Sequence, residues 1–526
     1  MALSLIDKSE IKTAKSIISV NPATLESLGE VEVFDKEQVE STVARARIAF
    51  KTWSQTTIEE RLSYILKAKN YLLENSQFFA EFITKENGKP LVEAISADIL
   101  PVIDLMDHYI KNKHEIPQRE NISLGKWALL NKSSYVEYLP LGIIAIISPW
   151  NFPFSIPMGQ IVTALITGNT IVLKPSEHTP LIGLQIEKIF KQVGLPEGVF
   201  NVITGFGETG ANLVSSKINK IIFTGSVATG KRIMAQAAEN LTPVVLELGG
   251  KDPMIVLKDA PLSYTTSGAV WGAFTNSGQV CASVERVYVH EDIADEFIYE
   301  VVSKTKKLKQ GFGIDKSIDI GPMISLDQMN IVKDHVDSAR NQGAKILTGG
   351  ERMTDLPGYF YKPTILTKVD HSFKIVREET FGPIMPIMTY RDEEEMIKMA
   401  NDCKYGLTAS IWTKDIEKAQ AIAPRIEAGT VTINDCVSSF ALCQTPWGGD
   451  KESGIGRTHG KFGIMEFVTP RHIHTDKAIN MKKFWWYGYD SNKFNLMNDS
   501  LKVLFSNKGV ISLPKVIKEF LNNKSL

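Results

Sequence analysis

Short apolar runs alternate with helical stretches in the first half of the chain, and this alternation constrains the fold more than any other feature. The runs are four to six residues long and occupy 142–147, 170–173, 199–203 and 220–223. Each is followed by a segment in which apolar residues recur at helical spacing. Strands of this length separated by helices indicate βαβ units, and hence a parallel sheet with helices on both faces. Such a sheet binds ligands at the carboxyl ends of its strands.

The length of the chain predicts more than one domain, because 526 residues exceed one simple core. A second series of strands and helices begins at Val244 and continues to about residue 450, which is enough for a second α/β domain. Between residues 122 and 140 the pattern changes to short alternating runs that predict a hairpin arm. A long amphipathic helix is expected after Thr57, where Glu60 completes a capping-box pattern.

Composition and charge exclude several classes of function. The formal net charge is −1, so no basic surface for nucleic acid is expected and a small molecule is the default partner. The four cysteines show no C-x-x-C spacing, which argues against a metal site and suits a reducing compartment. The first residues turn polar too early for a signal peptide, and no apolar run reaches about 18 residues, so a cytoplasmic protein is expected.

Two glycine motifs invite a nucleotide-binding interpretation, and each departs from its pattern. Gly205–Gly210 has the spacing G-x-G-x-x-G, but no acidic residue follows between Glu208 and Glu239 to bind a ribose, so a plain turn is favoured. Gly225–Lys231 has the spacing of a P-loop, but the next residue is Arg232 where a magnesium-binding hydroxyl is needed. An NTPase is therefore disfavoured, although the helix that follows could still meet a pyrophosphate.

Cys281, at the end of the stretch 276–281, is the candidate nucleophile. A thiol attacks only as the thiolate, so a reactive cysteine needs a setting that lowers its pKa or a base nearby. A single cysteine after a glycine is more often an inert buried residue. The catalytic interpretation therefore depends on other polar residues at the carboxyl ends of the predicted strands. Such residues occur in the segments 149–153, 174–177 and 247–251.

Seven motifs, taken together and in order, resemble the aldehyde dehydrogenase superfamily from about residue 20 to about residue 475. They are PWNFP (149–153), KPSE (174–177), FTGS with Gly230 (223–230), ELGGK (247–251), NSGQVC (276–281), EETFGP (378–383) and PWGGDKESGIGR (446–457). The resemblance implies an α/β fold and a homodimer or homotetramer. Its parts would be a Rossmann-like NAD-binding domain (1–121 and 141–249), an oligomerisation arm (122–140 and 466–475), a catalytic domain (250–465) and a C-terminal extension (476–526).

The resemblance also implies a role for each motif residue. Cys281 would add to the aldehyde carbon, the Asn151 amide and the Cys281 backbone N–H would bind the oxyanion, and Glu247 would activate water to hydrolyse the thioester. Phe152 and Trp447 would contact substrate. The residues implied in cofactor binding are Pro149, Trp150, Lys174, Ser176, Glu177, Gly225, Ser226, Leu248, Glu379 and Phe381.

Two specificities are expected from this resemblance. A carboxylate at Glu177 accepts hydrogen bonds from ribose hydroxyls and repels a 2′-phosphate, so NAD is expected in preference to NADP. Eight residues after Asn151, where related semialdehyde enzymes often carry arginine, this chain has Gly159. With Phe152, Phe154 and Trp447 nearby, an apolar, roomy tunnel for long-chain or bulky aldehydes is expected.

Several alternatives remain open at this point. A semialdehyde dehydrogenase of small-metabolite catabolism is one, and a cofactor-independent cysteine esterase is another, although the nine histidines offer no motif-like partner for Cys281. An inactive relative is disfavoured by the intact Cys281, Glu247 and Asn151. Members that transfer the acyl group to coenzyme A typically lack the glutamate at position 247, so hydrolysis to a free acid is favoured.

Residues 476–526 extend beyond the resemblance. Lys482–Tyr489 sets aromatic residues beside basic ones, and Leu513–Leu521 has apolar residues at helical spacing with lysines between them. The favoured interpretation is that these residues pack against the body or a partner subunit. The alternative is a weak contact with a membrane surface, because Trp and Tyr favour the interface and Lys attracts anionic lipids, which would make the enzyme a peripheral membrane protein.

Overall fold

The computed structural model describes residues 15–505, apart from 126, 128–130, 480–481 and 484. The chain divides into two compact units. The larger unit comprises the chain up to Ile116 together with Pro140–Val468, and the smaller unit comprises Pro117–Leu139 and the chain from Thr469. The predicted segment Leu513–Leu521 lies outside the described residues.

The described α-helices are α1 Lys36–Trp53, α2 Ile58–Glu74, α3 Ser76–Asn87, α4 Leu91–Glu93, α5 Leu100–Lys111, α6 Ser155–Ile166, α7 Pro180–Gln192, α8 Gly207–Ser215, α9 Val227–Ala238, α10 Leu262–Phe274, α11 Ala294–Thr305, α12 Leu326–Asn341, α13 Lys374–Arg377, α14 Glu393–Asn401, α15 Ile416–Ile422, α16 Gly460–Met465 and α17 Ser491–Phe505. A π-helical segment, Ala94–Ile99, joins α4 to α5.

The described strands are β1 Ser16–Val20, β2 Ser27–Glu32, β3 Glu120–Ile122, β4 Lys132–Pro140, β5 Ile143–Ile147, β6 Thr170–Lys174, β7 Phe200–Val202, β8 Lys220–Thr224, β9 Val244–Glu247, β10 Asp252–Val256, β11 Val284–His290, β12 Lys345–Thr348, β13 Thr364–Thr367, β14 Ile384–Tyr390, β15 Tyr405–Gly406, β16 Thr408–Trp412, β17 Thr430–Ile433, β18 Asp450–Lys451, β19 Gly454–Ile455 and β20 Val468–Asp476.

The first sheet confirms the α/β alternation predicted from the sequence. Its order is β19-β9-β8-β5-β6-β7, in which β5 to β9 are mutually parallel and the short β19 is antiparallel to β9. All five residues of β5 and of β6 are buried, as expected for strands covered by helices on both faces. The strand order places β5 in the interior, so the loop that follows Ile147 opens at the middle of the carboxyl edge.

A second sheet of seven strands has the order β12-β13-β14-β11-β10-β16-β17. It is parallel except for the antiparallel edge strand β12. Its strands pack on one side against a core that includes Val332 and Met396 and on the other against one that includes Phe297 and Trp412. This is the second α/β series that the sequence predicted, but its start was wrong, because Val244–Glu247 pairs with β8 and belongs to the first sheet.

Local sequence signals set the helix starts. The Thr57 side chain accepts a hydrogen bond from the backbone N–H of Glu60, so α2 begins where the capping pattern predicted. Ser226 caps α9 in the same way, by accepting from the N–H of Thr229. At the start of the described chain, β1 and β2 form an antiparallel hairpin.

The smaller unit contains a three-stranded sheet, β20-β4-β3, and the helix α17. β3 and β4 form the expected hairpin, and β20 is the expected late strand. Leu496 and Val503 on one side of α17 are buried, whereas the opposite side exposes Phe494, Met497 and Leu501. Within the part of the chain that the structure describes, no helix combines the length and the apolar character needed to span a membrane.

Candidate active site

A cavity of about 180 Å³ lies beside the carboxyl ends of β8 and β9 and contains the predicted nucleophile. Thr224 is the last residue of β8 and Glu247 is the last residue of β9, and the two are register partners on neighbouring parallel strands. Cys281, Phe152 and Trp447 line the same cavity. The fold therefore brings together in one cavity four residues from four separate sequence motifs: Phe152, Glu247, Cys281 and Trp447.

The turn Thr275–Gly278, which precedes Cys281, has an unusual backbone. Residues 276–278 all have positive φ, at 47°, 56° and 70°. A β-carbon on Gly278 would lie 2.1 Å from the carbonyl oxygen of Gly382, so only glycine fits there. Successive residues with positive φ cost conformational free energy. They persist only where neighbouring groups hold the backbone in place, as around functional loops.

Two side chains that the sequence did not single out hold this turn. The Glu93 carboxylate accepts hydrogen bonds from the backbone N–H of Asn276 (2.9 Å) and the hydroxyl of Thr275 (3.0 Å). The Gln279 side chain donates to the Asn276 carbonyl (2.9 Å) and accepts from the N–H of Ile324 (2.8 Å). Glu93 and Ile324 are distant in sequence from the turn, so no local pattern could have indicated their contacts, whereas Gln279 belongs to the motif at residues 276–281.

Asn151 lies buried in the loop after β5, and its side-chain Nδ2 donates to the carbonyl of Gln279, at 3.1 Å. The predicted amide donor is therefore aimed at the segment that carries Cys281. The Asn151 carbonyl accepts from Nζ of Lys89, at 2.8 Å, and Lys89 forms a fully buried ion pair with Asp98. The sequence indicated only a turn at residues 87–90, because a buried lysine and an exposed one look alike in sequence.

The Glu247 carboxyl group is 5% exposed, and this burial raises its pKa to about 8. The Thr458 hydroxyl donates to Oε1 of Glu247 at 3.4 Å. This hydrogen bond and the charge of Arg457 lower the pKa, but burial has the larger effect. The Oε2 atom makes no hydrogen bond to any described residue. A carboxyl group that titrates near neutral pH is suited to general base catalysis, the role that the family resemblance implies.

Burial raises the pKa of the Cys281 thiol, and the nearby carboxyl groups of Asp252, Glu379 and Glu247 raise it further. The site therefore does not generate thiolate by lowering the pKa of the cysteine in the unliganded protein. A reactive cysteine needs either a lowered thiol pKa or a base nearby, and since the pKa is raised, a nearby base is required. Glu247 lines the same cavity and meets that condition.

Lys174 ends β6, and its Nζ lies 3.5 Å from Oε2 of Glu177. The Ser176 hydroxyl lies 3.5 Å from the same oxygen. Burial alone would raise the pKa of Glu177, but the charges of Lys174 and His178 outweigh it, and the pKa is lowered. Glu177 is therefore a charged carboxylate at neutral pH beside an ammonium group, an arrangement that fits the paired hydroxyls of a ribose.

Helix α9 begins at the same sheet edge, with Ser226 as its N-cap. A β-carbon on Gly225 would lie 2.5 Å from the Phe223 ring, and one on Gly230 would lie 2.6 Å from Leu248, so both glycines allow a close approach of helix and strands. The backbone N–H groups at this helix start fit a pyrophosphate. Together with the Lys174–Glu177 pair, the residues present are compatible with a nicotinamide dinucleotide.

Glu379 and Phe381, which the resemblance assigns to the nicotinamide half of the cofactor, are each held by contacts with other segments of the chain. Glu379 accepts from the backbone N–H of Gly250, at 3.1 Å. Phe381 has a positive φ of 52°, and its ring stands edge-on to Trp150 with centroids 5.3 Å apart. Pro149 directly precedes Trp150. The buried carboxylate of Glu285 accepts from the N–H of Phe381, at 2.8 Å, a support that the sequence did not reveal.

The expectation that Phe154 borders the tunnel was wrong. Phe154 is fully buried in the core among the helices and does not line the cavity, because α6 begins directly after it and turns its side chain inward. Gly159 faces His459, whose Nε2 lies 3.5 Å from a β-carbon built on the glycine, in a separate small cavity. Lining residues that the sequence did not indicate include Gln160, Trp271, Val437 and Phe440.

Comparisons with known proteins agree with this geometry. Residues 9–473 match the model of the aldehyde dehydrogenase family. The chain is 36% identical over 496 residues to 4,4′-diapolycopene aldehyde oxidase from Methylomonas sp, covering 94% of this chain and 92% of that protein. It is 37% identical over 462 residues to betaine aldehyde dehydrogenase from Bacillus subtilis (strain 168), covering 86% and 93%.

Solved structures match as well. Betaine aldehyde dehydrogenase from Staphylococcus aureus in complex with NAD+ superposes with a TM-score of 0.85 at 36% identity, covering 90% of this chain and 94% of that one. The NAD+ complex of aldehyde dehydrogenase from Bacillus cereus gives a TM-score of 0.84 at 36% identity, covering 88% and 94%. The motifs, the fold and these matches across nearly the whole chain establish that the protein is an oxidoreductase of the aldehyde dehydrogenase family.

Proposed function

We propose that the enzyme oxidises an aldehyde to the carboxylic acid through a covalent intermediate on Cys281. The observation that carries this proposal is the single cavity that Cys281 and the titratable Glu247 both line. The Cys281 sulfur adds to the aldehyde carbon, and the carbonyl electron pair moves onto oxygen, which the Asn151 amide and the Cys281 N–H stabilise. A bound nicotinamide dinucleotide supplies the acceptor for the aldehyde hydrogen.

Glu247 acts twice in this scheme. Because the thiol pKa is raised, Glu247 as carboxylate takes the Cys281 proton when the sulfur adds. Glu247 then releases that proton to solvent. After oxidation, it takes a proton from the water that attacks the thioester carbon, and the carbon–sulfur bond breaks to release the acid and the cysteine. The alternative of a cofactor-independent cysteine esterase is disfavoured, since residues that fit a dinucleotide lie at the same sheet edge.

The preferred cofactor is NAD. The charged Glu177 carboxylate beside Lys174 would repel a 2′-phosphate, and a like-charge contact costs on the order of 1 kcal/mol or more, so kcat/KM for NAD should exceed that for NADP about fivefold or more. Glu177→Gln, which keeps the size of the side chain but removes its charge, should bring kcat/KM for NADP closer to kcat/KM for NAD. The check is steady-state kinetics with both cofactors. Equal kcat/KM values in the unaltered enzyme would contradict this preference.

The proposed substrate is an apolar, long-chain or bulky aldehyde. The cavity is lined mainly by apolar and aromatic side chains, and no lysine or arginine occurs among the described residues that line it. A semialdehyde would have no cation there for its carboxylate. The relative from Methylomonas sp is named for 4,4′-diapolycopene aldehyde, which supports this class.

A quaternary ammonium aldehyde is a second candidate. Four aromatic residues, Phe152, Trp271, Phe440 and Trp447, line the cavity, and aromatic faces attract quaternary ammonium groups. The relatives named betaine aldehyde dehydrogenases support the same class.

An aldehyde panel tests these assignments. It should contain short and long alkanals, aromatic aldehydes, betaine aldehyde and succinic semialdehyde, each followed by NADH absorbance. The highest kcat/KM is expected for a long or bulky apolar aldehyde, because its surface is removed from water in the cavity. If succinic semialdehyde is the best substrate, the apolar assignment is wrong. If no aldehyde yields NADH or NADPH, the proposed function itself is wrong.

We also propose that the chain is a cytoplasmic homodimer or homotetramer that associates through the smaller unit. Strand β20 is an outer strand of its sheet, and most of its side chains are exposed. Such an edge offers unpaired backbone groups to another chain. We also propose the division into an NAD-binding domain, an oligomerisation arm, a catalytic domain and a C-terminal extension, with the boundaries that the family resemblance implies.

For the C-terminal extension, packing against the body or a partner subunit remains the favoured interpretation, and weak contact with a membrane surface is the alternative that the following observations support. Phe494, Met497 and Leu501 form an exposed apolar stripe on α17, and Trp486 and Tyr487 are also more than half exposed. Aromatic residues favour the membrane interface. Under the membrane alternative, the full chain should sediment with vesicles of anionic lipid, whereas a chain ending at Asp476 should stay in the supernatant and still oxidise a short aldehyde. A full chain that stays in the supernatant, or a shortened chain that fails to fold, would favour packing instead.

A further inference from the structure

Two polar atoms in the active-site cavity have no hydrogen-bond partner among the described residues. They are Oε2 of Glu247 and Oε1 of Gln160. Both residues line the cavity that contains Cys281, and they are only 5% and 6% exposed. Buried polar atoms are paired in the great majority of cases, so two free acceptors in one cavity indicate a group that donates to both. Gln160 has no part in the chemistry described above.

The positions of the two side chains are set by the sheet edge. Gln160 projects from α6, and its Nε2 lies 3.5 Å from the hydroxyl of Thr224. Thr224 is the register partner of Glu247 on the neighbouring strand. On the far side, the Thr458 hydroxyl contacts Oε1 of Glu247 at 3.4 Å. Gln160 is contacted at Nε2 and Glu247 at Oε1, and the Trp447 side chain also acts on the Glu247 carboxyl group. Oε1 of Gln160 and Oε2 of Glu247 have no hydrogen-bond partner among the described residues.

The rest of the wall is mainly apolar and includes Phe152, Ile156, Trp271 and Val280, with hydroxyl groups at Ser96, Thr275 and Ser438. A water molecule has two O–H donors, and two nearby acceptors would use both of them. Its lone pair then points away from the acceptors and into the cavity that Cys281 lines.

We propose that Gln160 holds and orients the water that hydrolyses the thioester on Cys281, an inference that rests on the proposed function. One O–H donates to Gln160 Oε1 and the other to Glu247 Oε2. The water oxygen forms a bond to the thioester carbon as its proton passes to Glu247. The carbon–sulfur bond then breaks, the electron pair stays on sulfur, and the acid leaves. Gln160 exchanges no proton in this step and fixes only the direction of attack.

The chain offers variants that separate this role from a structural one. Gln160→Met keeps nearly the same volume and removes the strong acceptor. Thr224→Val removes the hydroxyl that Gln160 contacts, whereas Thr224→Ser retains it. Ser155→Ala is the matched control, because Ser155 lies on the same helix, is buried, has a hydroxyl without a partner, and does not line the cavity with Cys281.

The measurement is rapid-mixing NADH absorbance with saturating NAD and a short alkanal. In Gln160→Met, a burst of about one NADH per active site should keep the rate seen in the unaltered enzyme. The steady phase should then slow about 10- to 100-fold, because misplacing a reacting atom by about 1 Å can cost about 100-fold in rate. Thr224→Val should slow the steady phase severalfold, and Thr224→Ser should recover most of that loss because it keeps the hydroxyl. Ser155→Ala should leave both phases unchanged.

The pH profile separates positioning from base catalysis. In Gln160→Met the rise of the steady rate with pH should keep its midpoint, because Glu247 is still the base. A steady rate within twofold of the unaltered enzyme, or an equal fall of burst and steady phases, would overturn the role of Gln160. If Gln160→Met does not fold, equal steady rates in Thr224→Val and Thr224→Ser would overturn it. Absence of NADH formation in the unaltered enzyme would instead overturn the proposed function.

Discussion

Cys281→Ala is expected to abolish aldehyde oxidation, with kcat reduced by at least about 10⁴-fold, because the carbon–sulfur bond through which the reaction proceeds cannot form. No burst of NADH should remain. The substitution removes one sulfur atom from the wall of an existing cavity, so the melting temperature should change little. NADH absorbance, together with a thermal melt, provides the measurement.

Cys403→Ala serves as the matched control, since Cys403 is also a partly exposed free thiol and does not line the cavity. It should keep full activity. A Cys281→Ala enzyme that retains more than about 1% of the rate would show that the covalent route is not required. Loss of activity in both variants would instead indicate a general effect of thiol removal on folding.

Glu247→Gln is expected to separate the two halves of the reaction. The amide keeps the size of the side chain but cannot take a proton from water, so the thioester should persist on Cys281. Mixing with aldehyde and NAD should give about one NADH per site, formed more slowly than in the unaltered enzyme because Glu247 no longer takes the Cys281 proton. A steady phase about 10²- to 10⁴-fold slower than in the unaltered enzyme should follow. Mass spectrometry of the quenched protein should find the acyl group on Cys281.

The pH dependence provides a second measurement of the same group. Burial raises the pKa of Glu247 to about 8, so its base form is scarce well below that pH and predominates above it. The steady rate of the unaltered enzyme should therefore rise as the pH increases through about 8. In Glu247→Gln this rise should disappear. Normal turnover in Glu247→Gln would show that another base deacylates the enzyme.

Glu378→Gln is the control for this pair of measurements. Glu378 is exposed, is close in sequence to the proposed cofactor residues, and does not line the cavity. Removing its charge should leave both the burst and the pH profile in place. A shift of the profile in this variant would mean that a general surface charge effect, and not Glu247, sets the observed titration.

Much of the fold was predictable because its signals are local. The apolar runs of β5, β6, β7 and β8 and the cap at Thr57 depend on residues a few positions apart, and all appear where the sequence indicated. The strand order was not predictable, because it depends on which strands pair across long loops. Placing β5 between β6 and β8 is what brings the Asn151 loop to the middle of the sheet edge.

The sequence alone determined the family, the order of its motifs and the candidates Cys281, Glu247 and Asn151, since these reside in short contiguous patterns. Only the tertiary structure decided which side chains share the cavity. It removed Phe154, added Gln160 and Trp271, and assigned the buried Lys89 to the support of Asn151. It also decided that the thiol pKa is raised, because desolvation and the proximity of carboxylates depend on three-dimensional packing rather than on spacing along the chain.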